Sequence, residues 1–182
     1  MPQLEQGAFS TSVIPTTTAA ATRSADVASI TGSAFSGWYR QDEGCFFASF
    51  SHPTLPVQAG ARIFNAANST ATDQFWGRMV GGSSVALDVS VSGVSQAAFG
   101  AGSPGANETS RAAIAARAND YFAAGNGTGY GPDVSGSMPS ALDRLGIGME
   151  AVSNGSQLNG HIRRLTYWPQ RLGNEVLQRI TL

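Results

Sequence analysis

Leu158-Asn159-Gly160-His161-Ile162-Arg163-Arg164-Leu165-Thr166-Tyr167-Trp168-Pro169-Gln170-Arg171-Leu172 runs on through Gly173-Asn174-Glu175-Val176-Leu177-Gln178-Arg179-Ile180. It reads as one strand, a stop and a short closing helix. Asn159-Gly160 signals a turn, because both residues tolerate positive φ. Ile162 to Trp168 is strand-sized and rich in β-branched and aromatic residues. Pro169 ends the strand by removing a ladder donor. Asn174 is placed to cap a helix whose first turn carries Glu175, suited to the positive end of the helix dipole. Leu172, Val176 and Ile180, four apart, give that helix one apolar stripe to lay on a sheet.

Working outward, the chain is punctuated into short strands. In Cys45-Phe46-Phe47-Ala48-Ser49-Phe50, Phe46, Ala48 and Phe50 share one face and Phe47 takes the other, so both faces are expected to be covered. Arg62 to Asn65 and Gln74 to Val80 read as two more strands. Val85, Leu87, Val89 and Val91 alternate with Ala86, Asp88, Ser90 and Ser92, the period of a half-buried antiparallel strand. Gly93 then turns the chain into Gln96 to Phe99. Leu145-Gly146-Ile147-Gly148-Met149 sets large residues against glycines, which leave room for a ligand or a crossing backbone. Arg111 to Asp120 is ambiguous, since its alanines argue for helix.

Four stretches together resemble the concanavalin A-like (laminin-G-like) jelly-roll domains of bacteriophage structural proteins. They are the Tyr167-Trp168-Pro169 corner with its Leu172 to Glu175 helix start, the Gln3-Leu4-Glu5 and Thr11-Ser12-Val13-Ile14-Pro15-Thr16 segment, Ser36 to Phe50, and Ala118-Asn119-Asp120 with its flanks. The resemblance implies that Arg111 to Asp120 is a strand entering a hairpin, with Tyr121 to Ala124 as its partner. It implies an all-β fold: an antiparallel two-sheet jelly-roll sandwich with a short C-terminal helix and an extended N-terminal arm. The arm or linker is expected at 1–27 and the domain at 28–182. The aromatics Trp38 and Tyr39 are expected to be packing anchors rather than a sugar-stacking pair.

At 182 residues the chain suits one domain with a real core. Hydrophobic residues make up 42% and charged residues 13%, so the surface must be largely Ser, Thr, Asn, Gly and Ala, or be covered by partner subunits. A formal net charge of -1, with every basic side chain an Arg scattered among acids, gives no basic stripe for nucleic acid. No apolar run reaches membrane-spanning length and no leader opens the chain, so no membrane insertion is expected. The lone Cys45 excludes an internal disulfide and reads as a buried thiol.

Catalysis finds little support. A retaining glycosidase on such a sheet needs two carboxylates about 5 Å apart, which alternate positions of one strand would supply. None of Glu5, Glu43, Glu108, Glu150 or Glu175 has an acid two positions on, and no Asp-x-Asp or Asp-x-Glu occurs. His52 and His161 are far apart in sequence and one Cys makes no zinc set. Asp133 with Asn119-Asp120 is a weak calcium candidate, and no metal or cofactor is expected. Binding remains. Sugars are held by an aromatic face with polar side chains around it. Trp76, Arg78 and Asp88 on the sheet, with Tyr130, Asn154 and Gln157 from loops, are the carbohydrate-binding candidates, Trp76 first.

The resemblance carries an expected setting as well: the exterior of a phage or phage-like virion, in a tail-fibre, spike or head-fibre component. The expected partners are other virion proteins, further copies of the chain in a homo-oligomer (a trimer by analogy with fibres), and host-surface polysaccharide. The alternative is an architectural protein that decorates or cements the shell.

Overall fold

The computed structural model describes residues 26–53, 59–81 and 84–182. The arm expected at 1–27 lies almost wholly outside these residues. Eleven strands and two short helices are described. In order they are β1 (Ser29–Thr31), α1 (Ser33–Ser36), β2 (Glu43–Ser51), β3 (Arg62–Ala67), β4 (Gln74–Val80), β5 (Ser84–Val91) and β6 (Val94–Gly100). There follow β7 (Ser110–Arg117), β8 (Asp120–Gly125), β9 (Thr128–Asp133), β10 (Arg144–Ile147), β11 (His161–Trp168) and α2 (Asn174–Ile180). A six-stranded sheet has the order β1-β10-β3-β4-β5-β6, and a five-stranded sheet the order β11-β2-β7-β8-β9. Every strand pairing among the described residues is antiparallel, so the all-β two-sheet sandwich is what the chain forms.

The main core lies between the sheets. Phe46, Ala48, Phe50, Ile114 and Ala123 from one sheet meet Phe64, Phe75, Leu87, Val89 and Phe99 from the other. Cys45 and Phe47 point to the opposite side of β2 and join Ala113, Ala115, Phe122, Ala124 and Leu177 in a second cluster. The five-stranded sheet is thus covered on both faces, as the apolar run in β2 implies. This also explains why an alanine-rich segment is a strand. β7 is sandwiched between the core and α2, and alanines let backbone approach from both sides, so tertiary packing overrides helix propensity. Asn119, at φ 57°, turns the chain into β8.

Trp38 and Tyr39 are packing residues. Tyr39 stacks on Phe35 at 4.6 Å and on Tyr167 at 5.2 Å, and Trp38 meets Tyr167 edge-on at 5.2 Å. Gly146 makes room for a crossing backbone: a Cβ there would lie 2.6 Å from Met149 O and 3.0 Å from Ala151 Cα.

Two expectations for the closing helix need correction. Gly173, not Asn174, is the N-cap, with no side-chain cap, and Asn174 Oδ1 is buried without a hydrogen-bond partner among the described residues. The buried helix residue is Leu177, whereas Val176 is 42% exposed. Leu172 and Ile180 do pack on the outer cluster as expected, so the correction concerns Val176 alone; Leu172 precedes the helix, and its position does not set the helical phase. Counting four on from it selects the wrong neighbour.

On one side of the sandwich the two sheets stand apart. Ile30, Leu145 and Ile147 from the edge of one and Phe46, Leu165 and Tyr167 from the edge of the other, with Trp38, line a cavity of about 240 Å³.

Candidate functional site on the outer face of the six-stranded sheet

With α2 over the five-stranded sheet, the outer face of the six-stranded sheet is where polar side chains gather. β4 sets Phe75 and Met79 into the core and leaves Gln74, Trp76 and Arg78 half-buried on the other side. The register lines up one transverse row: Gly146 beside Asn65, Asn65 beside Trp76, Trp76 beside Asp88, and Asp88 beside Ala98. In the adjacent row Arg62 pairs with Arg78, Arg78 with Ala86 and Ala86 with Gly100. The small residues on β5 and β6 leave Trp76 and the two arginines as the large features of this face.

Arg62 reaches it through an irregularity. The β3–β4 register shifts between Arg62 and Phe64. Strict alternation would send Arg62 to the core side with Phe64; a bulge re-aims the side chain. Its guanidinium carbon lies 5.3 Å from the centroid of the Trp76 ring, within cation–π range. One face of the indole is therefore already occupied, and the platform is a stacked guanidinium–indole pair.

Arg78 and Asp88 neutralise each other, with Arg78 Nε donating to Asp88 Oδ2 at 2.7 Å. Arg62 has no such partner: among the described residues no carboxylate comes within ion-pair distance of it. Burial pushes its pKa below the usual guanidinium value; Glu150 opposes this, Arg78 adds to it, and Asp88 opposes it more weakly. Arg62 Nε and Trp76 Nε1 are both shielded and meet no acceptor among the described residues. Unmade hydrogen bonds of this kind cost about 1–3 kcal/mol each.

The segment 148–157 borders the site. Arg62 N donates to Ser156 O (2.8 Å), Gly148 N to Ile63 O (3.0 Å) and Ala151 N to the buried Asn65 Oδ1 (3.0 Å). Asn65 Nδ2 in turn donates to Gln74 Oε1 at 3.0 Å. This chain of bonds fixes Glu150 on the Arg62 side.

Of the six candidates, the structure brings Trp76, Arg78 and Asp88 together on this face. Asn154 and Gln157 belong to the bordering segment, where Gln157 Nε2 donates to Asn154 O at 2.7 Å. Tyr130 is elsewhere: it lies on β9 of the other sheet, partly packed against the main core. Sequence reasoning missed Arg62, Asn65, Gln74 and Glu150. The β3 and β4 runs are legible, but the bulge that turns Arg62 outward has no signal in a single sequence. Asp133 accepts from Ser135 N and Oγ, and Asp120 pairs with Arg117 and Arg171. Among the described residues no three His, Cys, Asp or Glu side chains gather to hold a metal ion.

Neither a protein-family model nor a curated protein matches the chain. Solved structures do. A carbohydrate-binding module (CBM40) of the Ruminococcus gnavus IT-sialidase, bound to α2,3-sialyllactose, superposes with a TM-score of 0.65 at 14% identity, over 78% of this chain and 84% of that one. A NanB sialidase from Streptococcus pneumoniae gives 0.63 at 12% identity, over 83% of this chain but only 26% of its own. Domains LG4-5 of the mouse laminin α1 chain give 0.58 at 8% identity, over 82% and 40%. At such identities the likeness is one of fold, and the fold is the concanavalin A-like jelly roll.

Proposed function

We propose that this chain is a non-catalytic glycan-binding module whose site is the Arg62–Trp76 pair with Gln74, Arg78 and Asp88 around it. The observation that carries this reading is the half-buried Arg62 guanidinium stacked on Trp76, with no carboxylate of the described residues within ion-pair distance. Such a pair offers an apolar edge, and the terminal guanidinium nitrogens of Arg62, which are not among the shielded atoms, supply directed N–H donors for a sugar's acceptor group. The positive charge without an ion-pair partner favours a glycan bearing a carboxylate, sulfate or phosphate. The sialyllactose bound by the R. gnavus module is a sugar of that type. The setting we propose is the exterior of a phage-like particle, in a fibre or spike component. There, weak single sites on a homo-oligomer would be multiplied by effective concentration into adhesion to host-surface polysaccharide.

The test is binding of the purified, labelled chain to extracted acidic and neutral surface polysaccharides, with Trp76→Ala beside it. Saturable, sugar-competed binding that the variant loses supports both module and site. Binding retained in the variant sinks the site; none by a verified oligomer sinks adhesion. A purely architectural virion role is the second reading. The observation that favours it is the apolar cavity between the β1 and β11 edges, a surface suited to another protein's side chains rather than to sugar.

A further inference from the structure

The chain contains three Asn-Gly steps, Asn126-Gly127, Asn154-Gly155 and Asn159-Gly160, and the structure sets them apart chemically. All three asparagines occupy the left-handed region, at φ 46°, 57° and 50°, and all three side chains are exposed. Backbone basin and access therefore do not distinguish them; their hydrogen bonds do. Asn126 Oδ1 accepts from Arg111 N at 2.9 Å, and Gly127 N donates to the buried Thr181 Oγ1 at 3.2 Å. Gly155 N donates to Ser153 Oγ at 3.1 Å. Among the described residues neither the Asn159 side chain nor Gly160 N has a partner.

We propose that Asn159-Gly160 is a site of spontaneous backbone modification, the first of the three to deamidate. The Gly160 amide nitrogen, losing its proton to solvent, attacks Asn159 Cγ. The new C–N bond closes a five-membered succinimide as ammonia leaves. Water then opens either ring carbonyl, giving an aspartyl or isoaspartyl residue with one added negative charge. Cyclisation needs a free amide carboxamide and an unblocked following nitrogen, and only this step has both. The fold also keeps the step labile. A Cβ at Gly160 would collide with Ser51 O, so the following residue must remain glycine, and the positive φ at Asn159 favours Asn over most residues. The product lies at the entry to β11, which among the described residues is an edge strand paired only with β2. An isoaspartyl link lengthens the backbone there and loosens the His161–Ser51 end of the ladder.

Ageing the full chain in mildly alkaline buffer, with peptide mapping over time, tests this. Conversion at Asn159 should exceed that at Asn126 by at least about fivefold, the rate equivalent of one net hydrogen bond. Asn154 should fall between them. Asn159→Gln, whose ring closure is slower, should abolish the fast phase. Thr181→Val should raise the rate at Asn126, and Asn159→Gln decides alone if that variant does not fold. Aged protein should exchange amide hydrogens faster at the start of β11, whereas Asn159→Asp, which adds the charge without lengthening the backbone, should not. Asn126 converting as fast as Asn159, or Asn159 staying intact while Asn154 converts, overturns the proposal.

Discussion

Arg62 lies over Trp76, guanidinium carbon to ring centroid 5.3 Å, although the two side chains come from different strands and reach the same face only through the bulge in β3. The pair makes Arg62 the charge-selective element of the proposed site. Arg62→Gln keeps a polar side chain of similar reach and removes the charge. It should weaken binding of an acidic glycan by about 10- to 100-fold, the scale of a lost charged hydrogen bond, and leave a neutral analogue little changed. Titration calorimetry with the two ligands checks this, and equal losses for both would reduce Arg62 to a packing role. Wild-type affinity for the acidic ligand should fall as salt is added.

The Arg78–Asp88 bridge holds the neighbouring charge in place. The Asp88 side chain is 6% exposed and that of Arg78 33%, so the pair is neither a surface bridge nor a fully buried one. Asp88→Ala should destabilise the fold by about 1–2 kcal/mol, below the 3–5 kcal/mol of a fully buried pair. Denaturant melts of the single variants and of Arg78→Met/Asp88→Ala isolate the coupling. Additive losses would show that the bridge contributes no coupling.

Gly146 is where segment 148–157 crosses the sheet. Gly146→Ala puts a methyl group against Met149 O and Ala151, backbone that a rotamer change cannot relieve. It should cost about 1–3 kcal/mol, the usual range for overpacking. It should also shift Glu150 relative to Arg62 and so lower glycan affinity. A stable variant with unchanged affinity would show that the segment does not shape the site.

The residues that set local structure were readable directly. Pro169 stops β11, the alternation in β5 marks its buried face, and the Phe46–Phe47 contrast shows that β2 is covered on both sides. The alanines of β7 were not decisive alone: they favour helix by propensity, and only two-sided packing makes them strand. The site was half legible. Trp76, Arg78 and Asp88 follow from two strands whose pairing a simple hairpin supplies. Arg62 does not, because a bulge reverses its face, and neither does Glu150, which a buried Asn65 fixes through Ala151 N. Irregular backbone and long-range register carry those two placements.

The closing helix gives a paired comparison. Leu177 is wholly buried beneath the five-stranded sheet and Val176 is 42% exposed. Leu177→Ala should lose about 2–5 kcal/mol, through the transfer and cavity effects of a core truncation. Val176→Ala should stay within about 0.5 kcal/mol of the parent. Thermal melts of the two variants decide, and a reversal would mean that the helix is rotated relative to the sheet.

The protein should lose stability on the alkaline side. Burial pushes the Cys45 thiol from 9.0 up to about 12, opposed weakly by Arg171. Burial raises Tyr121 from 10.0 to about 12, with Asp133 adding to it. Tyr39 is raised well above its ordinary value by burial and then by Tyr167. Each group stays protonated in the folded chain at a pH where the unfolded chain has released its proton. The unfolded state then binds fewer protons, so stability falls with rising pH, by about 1.4 kcal/mol per unit for each group. The loss begins near 9 with Cys45, joins the tyrosines near 10, and levels off for Cys45 and Tyr121 only near 12. Cys45→Ser should remove the earliest part of the decline, seen as a flatter melting temperature between pH 9 and 10. A thiol reagent should leave native Cys45 unmodified at neutral pH, since the thiolate is the reactive form. Rapid modification of the folded chain would contradict the buried placement on which the decline depends.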